Sequence, residues 1–308
     1  MTSMPFPHDS SRAHFRLAQA LIWLTPALWA VNFIVARKAP GVIGPYTLAF
    51  GRWAVAGLLL VAGARAELWR ERAAIARVWY QYLGLGVCGM LVCGAWVYQG
   101  ARTTGALNIA LIYSASPVLI ALGAVYWLGE RFTRQQIVGA LLALAGVVHV
   151  VVKGRWNALG SVQWVAGDGW IVLAMVSWAL YALLQKLWPS SLSSTARLAA
   201  ICIGGVVSLV PFTVWELCQA DVPPWTLQAT WQVLAVALLP GVGAYWIYGW
   251  SQRLLGASRV AVTLYLGPLY AALAAWGVLG EPLGWHHLSG AALILPGVYW
   301  VTRGGARS

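Results

Sequence analysis

The chain has 308 residues, 60% of them hydrophobic and only 9% charged, with a mean hydropathy of +0.72. That balance excludes an ordinary soluble domain and a disordered chain, both of which carry far more charge for their apolar content. The formal charge of +12, from 20 Lys and Arg against 8 Asp and Glu, does not mark a nucleic-acid binder, because the basic residues gather at the ends of apolar runs and form no stripe.

A membrane-crossing helix needs roughly 20 apolar residues. In chain order the apolar runs predict spans over 17–36, 46–64, 78–97, 106–128 and 135–152, then 169–187, 195–215, 230–250, 259–279 and 287–302. The first run follows Arg12 and Arg16 and lacks a small-x-small cleavage site before Arg37, so it reads as a span and not as a signal peptide. Connections are expected at Pro40–Pro45, Arg65–Arg77, Gly129–Arg134, Pro189–Ser194 and Asp221–Pro224, none long enough for a soluble domain. The expected organisation is a tail over 1–16, a five-span unit over 17–152, a connection over 153–168, a second five-span unit over 169–302 and a tail over 303–308. Only Arg37, Lys38, Arg52, Arg102, Lys153 and Arg155 fall on one side of this arrangement, leaving fourteen of the 20 basic residues on the other. The bias places both termini in the cytoplasm of a cell bounded by its inner membrane.

The two units repeat. A shift of 151 residues lays 98–150 on 249–301 with 18 identities in 53 positions, among them Arg102 on Arg253, Gly105 on Gly256, Pro117 on Pro268 and Gly129-Glu130 on Gly280-Glu281. Gly139 and Gly146 fall on Gly290 and Gly297. At a shift of 149, Trp29-Ala30 and Pro40 meet Trp178-Ala179 and Pro189. Five spans is an odd number, so the second unit crosses in the opposite sense. Inverted duplication is how secondary transporters expose one site to either side of a bilayer, and helix breakers at matching places, here Pro117 and Pro268, point to hinges or to that site.

The chemistry-bearing residues agree. No HExxH, GxSxG or Walker loop is present, so neither an enzyme nor a self-contained ATP-driven pump is expected, and no cofactor. Cys88, Cys93, Cys202 and Cys218 have no metal-ligand spacing and read as packing residues. All eight acids (Asp9, Glu67, Glu71, Glu130, Asp168, Glu216, Asp221 and Glu281) fall outside span centres, which predicts movement down the solute's gradient with little direct proton coupling. Arg52 and Arg259 stand near the starts of apolar runs, where snorkelling to headgroups competes with attraction of a substrate carboxylate. The spans are instead rich in rings, from 20 Trp, 12 Tyr and 6 Phe. Thr25, Trp29 and Asn32 share one face of the first span, and Ala174, Trp178, Tyr181 and Gln185 share one face of the sixth. Trp29, Asn32, Tyr82, Trp96, Tyr98, Tyr113, Trp178, Tyr181, Tyr245 and Tyr265 are therefore the candidate lining of a central cavity, with Tyr248 a further ring of the eighth span. Such a lining suits a zwitterion with an aromatic or long apolar side chain, and equally a lipophilic drug or plain helix packing.

The segments PALWAVNFIVARK (26–38), GALNIALIYSASPVLIALGAVYWLGERFTRQQIVGALLALAGV (105–147) and GASRVAVTLYLGPLYAALAAWGVLGEPLGWHHLSGAALILPGV (256–298) resemble EamA-like members of the drug/metabolite transporter superfamily. The resemblance covers nearly the whole chain. It implies an all-α membrane protein of ten helices in two inverted five-helix repeats, a central cavity and, as is usual in the family, export of a small metabolite; the expected partners are that small molecule and the lipid bilayer, and the expected state is a monomer. Among members, the chain looks most like bacterial exporters of aromatic amino acids. It departs from the small multidrug-resistance relatives, which carry a membrane-embedded Glu in the first span where this chain offers Trp29 and Asn32.

Overall fold

A computed structural model describes residues 8–100 and 103–303, and the described residues contain helices and no strand. In chain order the long helical runs are α1 (Ala13–Lys38), α2 (Pro45–Arg70), α3 (Trp79–Gly86, Val87–Ala95 and Trp96–Gly100 in succession), α4 (Ala106–Ser114 and Ser116–Leu128) and α5 (Arg134–Val151). They continue with α6 (Ala166–Leu187), α7 (Ser194–Leu217), α8 (Leu227–Val236, Ala237–Ala244 and Tyr245–Leu255), α9 (Ala257–Val262, Thr263–Leu266 and Gly267–Leu279) and α10 (Trp285–Arg303). Eight helices among the described residues, all of these except α3 and α10, are long and apolar enough to cross a membrane. Their outward faces carry large apolar side chains such as Leu58, Leu122, Leu141, Ile203 and Val207. With lipid as solvent that exposure is favourable, and the chain is a multi-pass membrane protein.

Two expected connections are partly helical. α2 continues to Arg70 and a short helix follows at Arg72–Arg77, because the stretch from Arg65 to Arg77 is rich in Ala, Glu and Arg and contains neither Gly nor Pro. The connection around 153–168 holds a turn of 3-10 helix at Trp156–Ser161, and α6 begins at Ala166. Asp168 thus lies in the first turn of α6, where its carboxylate accepts the Val165 amide at 2.9 Å.

The helix breaks recur at matching positions. In α4 the helix is interrupted at Ala115, two residues before Pro117, and in α9 a 3-10 turn at Thr263–Leu266 precedes Pro268. Proline removes an amide and crowds the preceding turn, so the chain restarts each helix with proline in its first turn. A second pair of irregularities has no sign in the apolar periodicity. Val87–Ala95 in α3 and Ala237–Ala244 in α8 are wound as π-helix. The wider turn leaves carbonyls for other partners. The Cys88 carbonyl accepts the Ser177 hydroxyl at 3.0 Å and the Gly89 carbonyl accepts the Tyr245 hydroxyl at 2.8 Å, tying α3 to α6 and α8.

The glycines that the repeat singles out are contact points between backbones. A Cβ on Gly139 would lie 2.7 Å from the Gly297 carbonyl oxygen, and one on Gly297 would lie 2.5 Å from that of Gly139. A Cβ on Gly146 would meet the Gly290 carbonyl at 3.0 Å. α5 and α10 therefore pack through two glycine pairs, the close approach that association in lipid favours. Gly297→Leu should force these helices apart, at roughly 1–3 kcal/mol for an overpacked contact. A thermal shift assay in detergent reads this as a lowered Tm, and an unchanged Tm would disprove the packing.

Candidate functional site

The rings of the two halves meet in one cluster. Trp29 on α1 packs edge-on against Trp178 on α6 at 5.3 Å between centroids and against Tyr245 on α8 at 5.9 Å. Trp178 stacks on Tyr181 at 5.4 Å, and Tyr248 lies 5.2 Å from Trp178 and 5.6 Å from Trp29. Trp53 on α2 closes the group by meeting Tyr245 edge-on at 4.7 Å. These separations and angles are those at which ring quadrupoles attract. Helical spacing brings Trp178 and Tyr181 to one face of α6 and Tyr245 and Tyr248 to one face of α8, while Gly89 lets α3 approach, since a Cβ there would sit 2.6 Å from the Tyr181 ring.

A guanidinium borders the cluster. Arg52 is 7% exposed, its Cζ standing 4.5 Å from the centroid of Trp53 and 5.6 Å from that of Tyr245. Its Nη1 donates to Asn32 Oδ1 at 3.3 Å, and Cys93 with Tyr113 lies alongside. Gly241 in the α8 π-helix lies beside the arginine stem, which would be in ordinary contact, 3.7 Å, with a Cβ at that position. Among the described residues no carboxylate is within ion-pair distance of Arg52; the ion pairs are Arg37 with Glu281 and Arg70 with Glu71. A buried cation in lipid is costly and is retained chiefly for traffic of charged solutes.

The same neighbourhood collects unsatisfied polar atoms. Arg52 Nε, Trp53 Nε1 and Tyr248 Oη are buried without a hydrogen-bond partner. So are Thr25 Oγ1, one turn before Trp29, and Ser251 Oγ, one turn after Tyr248. Native interiors satisfy most such groups, so a concentration of orphans beside a cation and aromatic faces marks a place where water or a ligand belongs. Toward one end, Gln185, Arg197, Tyr245, Trp246, Gly249 and Arg253 border a cleft of about 10 Å³, room for one water. The rings are packed together in this conformation, and a ligand would have to part them.

The sequence-based candidates divide accordingly. Trp29, Trp178, Tyr181 and Tyr245 are in the cluster, with Asn32 and Tyr113 on its Arg52 side. Tyr82 lies elsewhere, its hydroxyl 3.2 Å from Ser190 Oγ, and Trp96 pairs with Trp170 at 5.2 Å. Tyr265 belongs to a separate core with Val262, Leu266 and Val298. The Tyr98 side chain lies outside those described. Trp53 was not singled out by spacing, although an Arg-Trp pair inside an apolar run is a signal that could have found it.

Three of the acids are used at the starts of other helices. Glu216 accepts the Tyr46 and Thr47 amides at 3.1 and 2.7 Å, Glu67 the Ser193 amide at 2.6 Å, and Glu130 the Ala257 and Ser258 amides at 2.8 and 3.1 Å. Each satisfies free N–H groups at the positive end of a helix. Among the described residues no group of His, Cys, Asp and Glu could hold a metal ion.

Several known proteins with related sequences are transporters by name. An uncharacterised transporter of Archaeoglobus fulgidus is 27% identical over 95% of this chain and 98% of its own length. A probable terminal-alkyne amino-acid exporter of Streptantibioticus cattleyicolor is 27% identical over 91% of each chain. An S-adenosylmethionine/S-adenosylhomocysteine transporter of Chlamydia trachomatis is 25% identical over 86% of this chain and 83% of its own. A crystal structure with 19% identity superposes with a TM-score of 0.73 over 92% of this chain and 96% of that one, which establishes a shared fold. The profile of the EamA-like transporter family matches residues 16–152 and again residues 165–303, and the chain belongs to that family, within the drug/metabolite transporter superfamily.

Proposed function

We propose that the protein is a secondary transporter that exports small zwitterionic metabolites, foremost amino acids with aromatic or long apolar side chains. Ten helices in two inverted five-helix repeats, 17–152 and 169–302 joined by 153–168, would cross a bacterial inner membrane as a monomer with both termini cytoplasmic. The observation that carries this reading is the buried Arg52 guanidinium, without an acid partner, set against rings from both halves. Arg52 takes the substrate carboxylate, Tyr248 and the ring faces take the ammonium, and the apolar side chain enters between Trp29 and Trp178. The breaks before Pro117 and Pro268 serve as hinges. A site for neutral lipophilic drugs would have no use for a buried cation. With Glu67, Glu130 and Glu216 occupied at helix starts and no described carboxylate within ion-pair distance of Arg52, transport runs down the substrate's gradient.

Labelled phenylalanine in proteoliposomes tests this. Saturable uptake is expected, competed by tryptophan and leucine, with no accumulation driven by an imposed pH gradient. Absence of amino-acid uptake by correctly inserted protein would end the proposal. Asn32→Leu should weaken transport roughly fivefold, about 1 kcal/mol, because Asn32 Oδ1 orients the guanidinium. An unchanged KM would remove Asn32 from the site.

A further inference from the structure

A second group of cations borders the rings. Arg197, in the first turn of α7, is 5% exposed, and Arg253, in the last turn of α8, is half-buried. Both line the small cleft that reaches Tyr245. Arg197 Nη2 donates to the Gln185 and Trp188 carbonyls at 2.7 Å each, and Arg253 Nη1 donates to the Leu192 carbonyl at 2.9 Å. Those bonds use only part of each guanidinium. Arg197 Nε and Arg253 Nη2 are buried with no hydrogen-bond partner.

Capping of carbonyls at and beyond the end of α6 explains one nitrogen of each arginine but not the gathering of like charges. The two lie within electrostatic range of one another, and Lys186 is in range of both. Arg197 also stands at the positive end of α7, where the helix dipole repels a cation and attracts an anion. Among the described residues neither arginine has an ion pair. Glu67 is in range of Arg253, but its two oxygens hold the Ser193 amide and hydroxyl at 2.6 Å each, and Glu130 is held at the start of α9.

The cleft gives an anion its place. Tyr245, Trp246, Gly249, Trp250 and Arg253 follow one face of α8, so the cleft runs from Arg253 to the ring cluster, about 12 Å along the helix. Its volume of about 10 Å³ holds one water, which is also room for one carboxylate oxygen. Trp246 and Trp250 stack beside it at 5.7 Å and 15°, and Trp246 is fixed by donating from Nε1 to Thr195 Oγ1 at 3.0 Å. An aromatic or apolar group attached to the carboxylate would lie on those rings. At the inner end Tyr245 also faces Arg52, with 5.6 Å between its ring centroid and Cζ.

We propose that Arg197 and Arg253 form a second carboxylate site, a vestibule at the end of the molecule that the charge bias makes cytoplasmic, where the exported acid is collected before it passes Tyr245 to Arg52. Unpartnered guanidinium N–H groups take the oxygen, the stacked tryptophans take the side chain, and Tyr245 is shared with the Arg52 site. Its direction of use rests on the exporter reading, whereas the site is built by residues separate from Arg52.

Equilibrium dialysis with radiolabelled benzoate, which has a carboxylate and a ring but no ammonium, tests this on the full chain in phosphatidylcholine nanodiscs. Wild type should hold two benzoates per chain, Arg253→Gln and Arg52→Gln one each, and the double variant none. Arg253→Lys keeps the charge and a donor for the Leu192 carbonyl, so it should fold even where Arg253→Gln does not. Its second site should weaken about tenfold with the first unchanged, through loss of a charge-assisted hydrogen bond. A single benzoate lost in Arg253→Gln and kept in Arg52→Gln would still place the site here. Binding that both Arg253 variants leave as in wild type would overturn it and reduce the arginines to caps. Loss of the second benzoate when phosphatidylglycerol is added to the nanodiscs would make a lipid headgroup the occupant and overturn the vestibule. Labelled phenylalanine separates this site from the substrate reading. Two benzoates bound by a protein that neither binds nor moves phenylalanine would keep the carboxylate site and strike the amino-acid substrate. One phenylalanine, lost in Arg52→Gln and untouched in the Arg253 variants, would keep the substrate and strike the vestibule.

Discussion

Arg52→Gln should leave the protein folded and inserted while nearly abolishing amino-acid transport. The guanidinium is 7% exposed, its Nε has no partner, and no described acid neutralises it. Its removal relieves the fold of a desolvated charge, so Tm should hold or rise. A substrate carboxylate, however, loses a buried charge-assisted partner, which costs about 2–5 kcal/mol, at least roughly a thirtyfold rise in Kd. Arg52→Lys should recover only part of the affinity, because an ammonium cannot pair bidentately with a carboxylate while keeping the guanidinium's contact over the Trp53 ring. Phenethylamine, which lacks the carboxylate, provides the internal control. Wild type should prefer phenylalanine over it strongly, and Arg52→Gln should lose that preference. Transport of phenylalanine by Arg52→Gln with the wild-type KM would show that the cation has a structural role only.

Trp178 gives the second large effect, on specificity and stability together. Its ring contacts Trp29, Tyr181, Tyr245 and Tyr248 and is 5% exposed. Trp178→Ala should lower transport of phenylalanine and tryptophan about tenfold from lost ring contacts and leucine transport less. Folding suffers as well, since truncating a Trp buried in the packed cluster costs about 3–5 kcal/mol. Trp178→Phe is the cleaner comparison: it keeps an aromatic face with a smaller cavity, so stability should largely return while tryptophan remains disfavoured. If the alanine and phenylalanine variants transported phenylalanine, tryptophan and leucine in wild-type ratios, Trp178 would be packing and no part of the site.

Much of this protein is set by local rules that operate along the chain. Lipid requires every backbone group to be satisfied within its own segment, so apolar runs of sufficient length have helix as their answer, and the runs around 46–64, 195–215 and 259–279 appear as α2, α7 and α9. Duplication is likewise visible as matching letters, and the glycines it repeats, Gly139 with Gly297 and Gly146 with Gly290, are where α5 and α10 touch. The pairing of Trp29 with Trp178 was foreseeable for the same reason, because equivalent residues of inverted halves converge. Hydropathy alone could not find the π-wound segments at Val87–Ala95 and Ala237–Ala244, because the choice between i→i+4 and i→i+5 bonding depends on what the neighbouring helices supply, for Val87–Ala95 the hydroxyls of Ser177 and Tyr245. Nor could it decide between snorkelling and burial for Arg52, since one arginine near the start of an apolar run fits both. Trp53, Tyr245 and Asn32 settle it, and they lie on three different helices. The two glutamates are the clearest case. As letters Glu130 and Glu281 are identical, and only tertiary packing brings the first to the amides that open α9 and the second to Arg37.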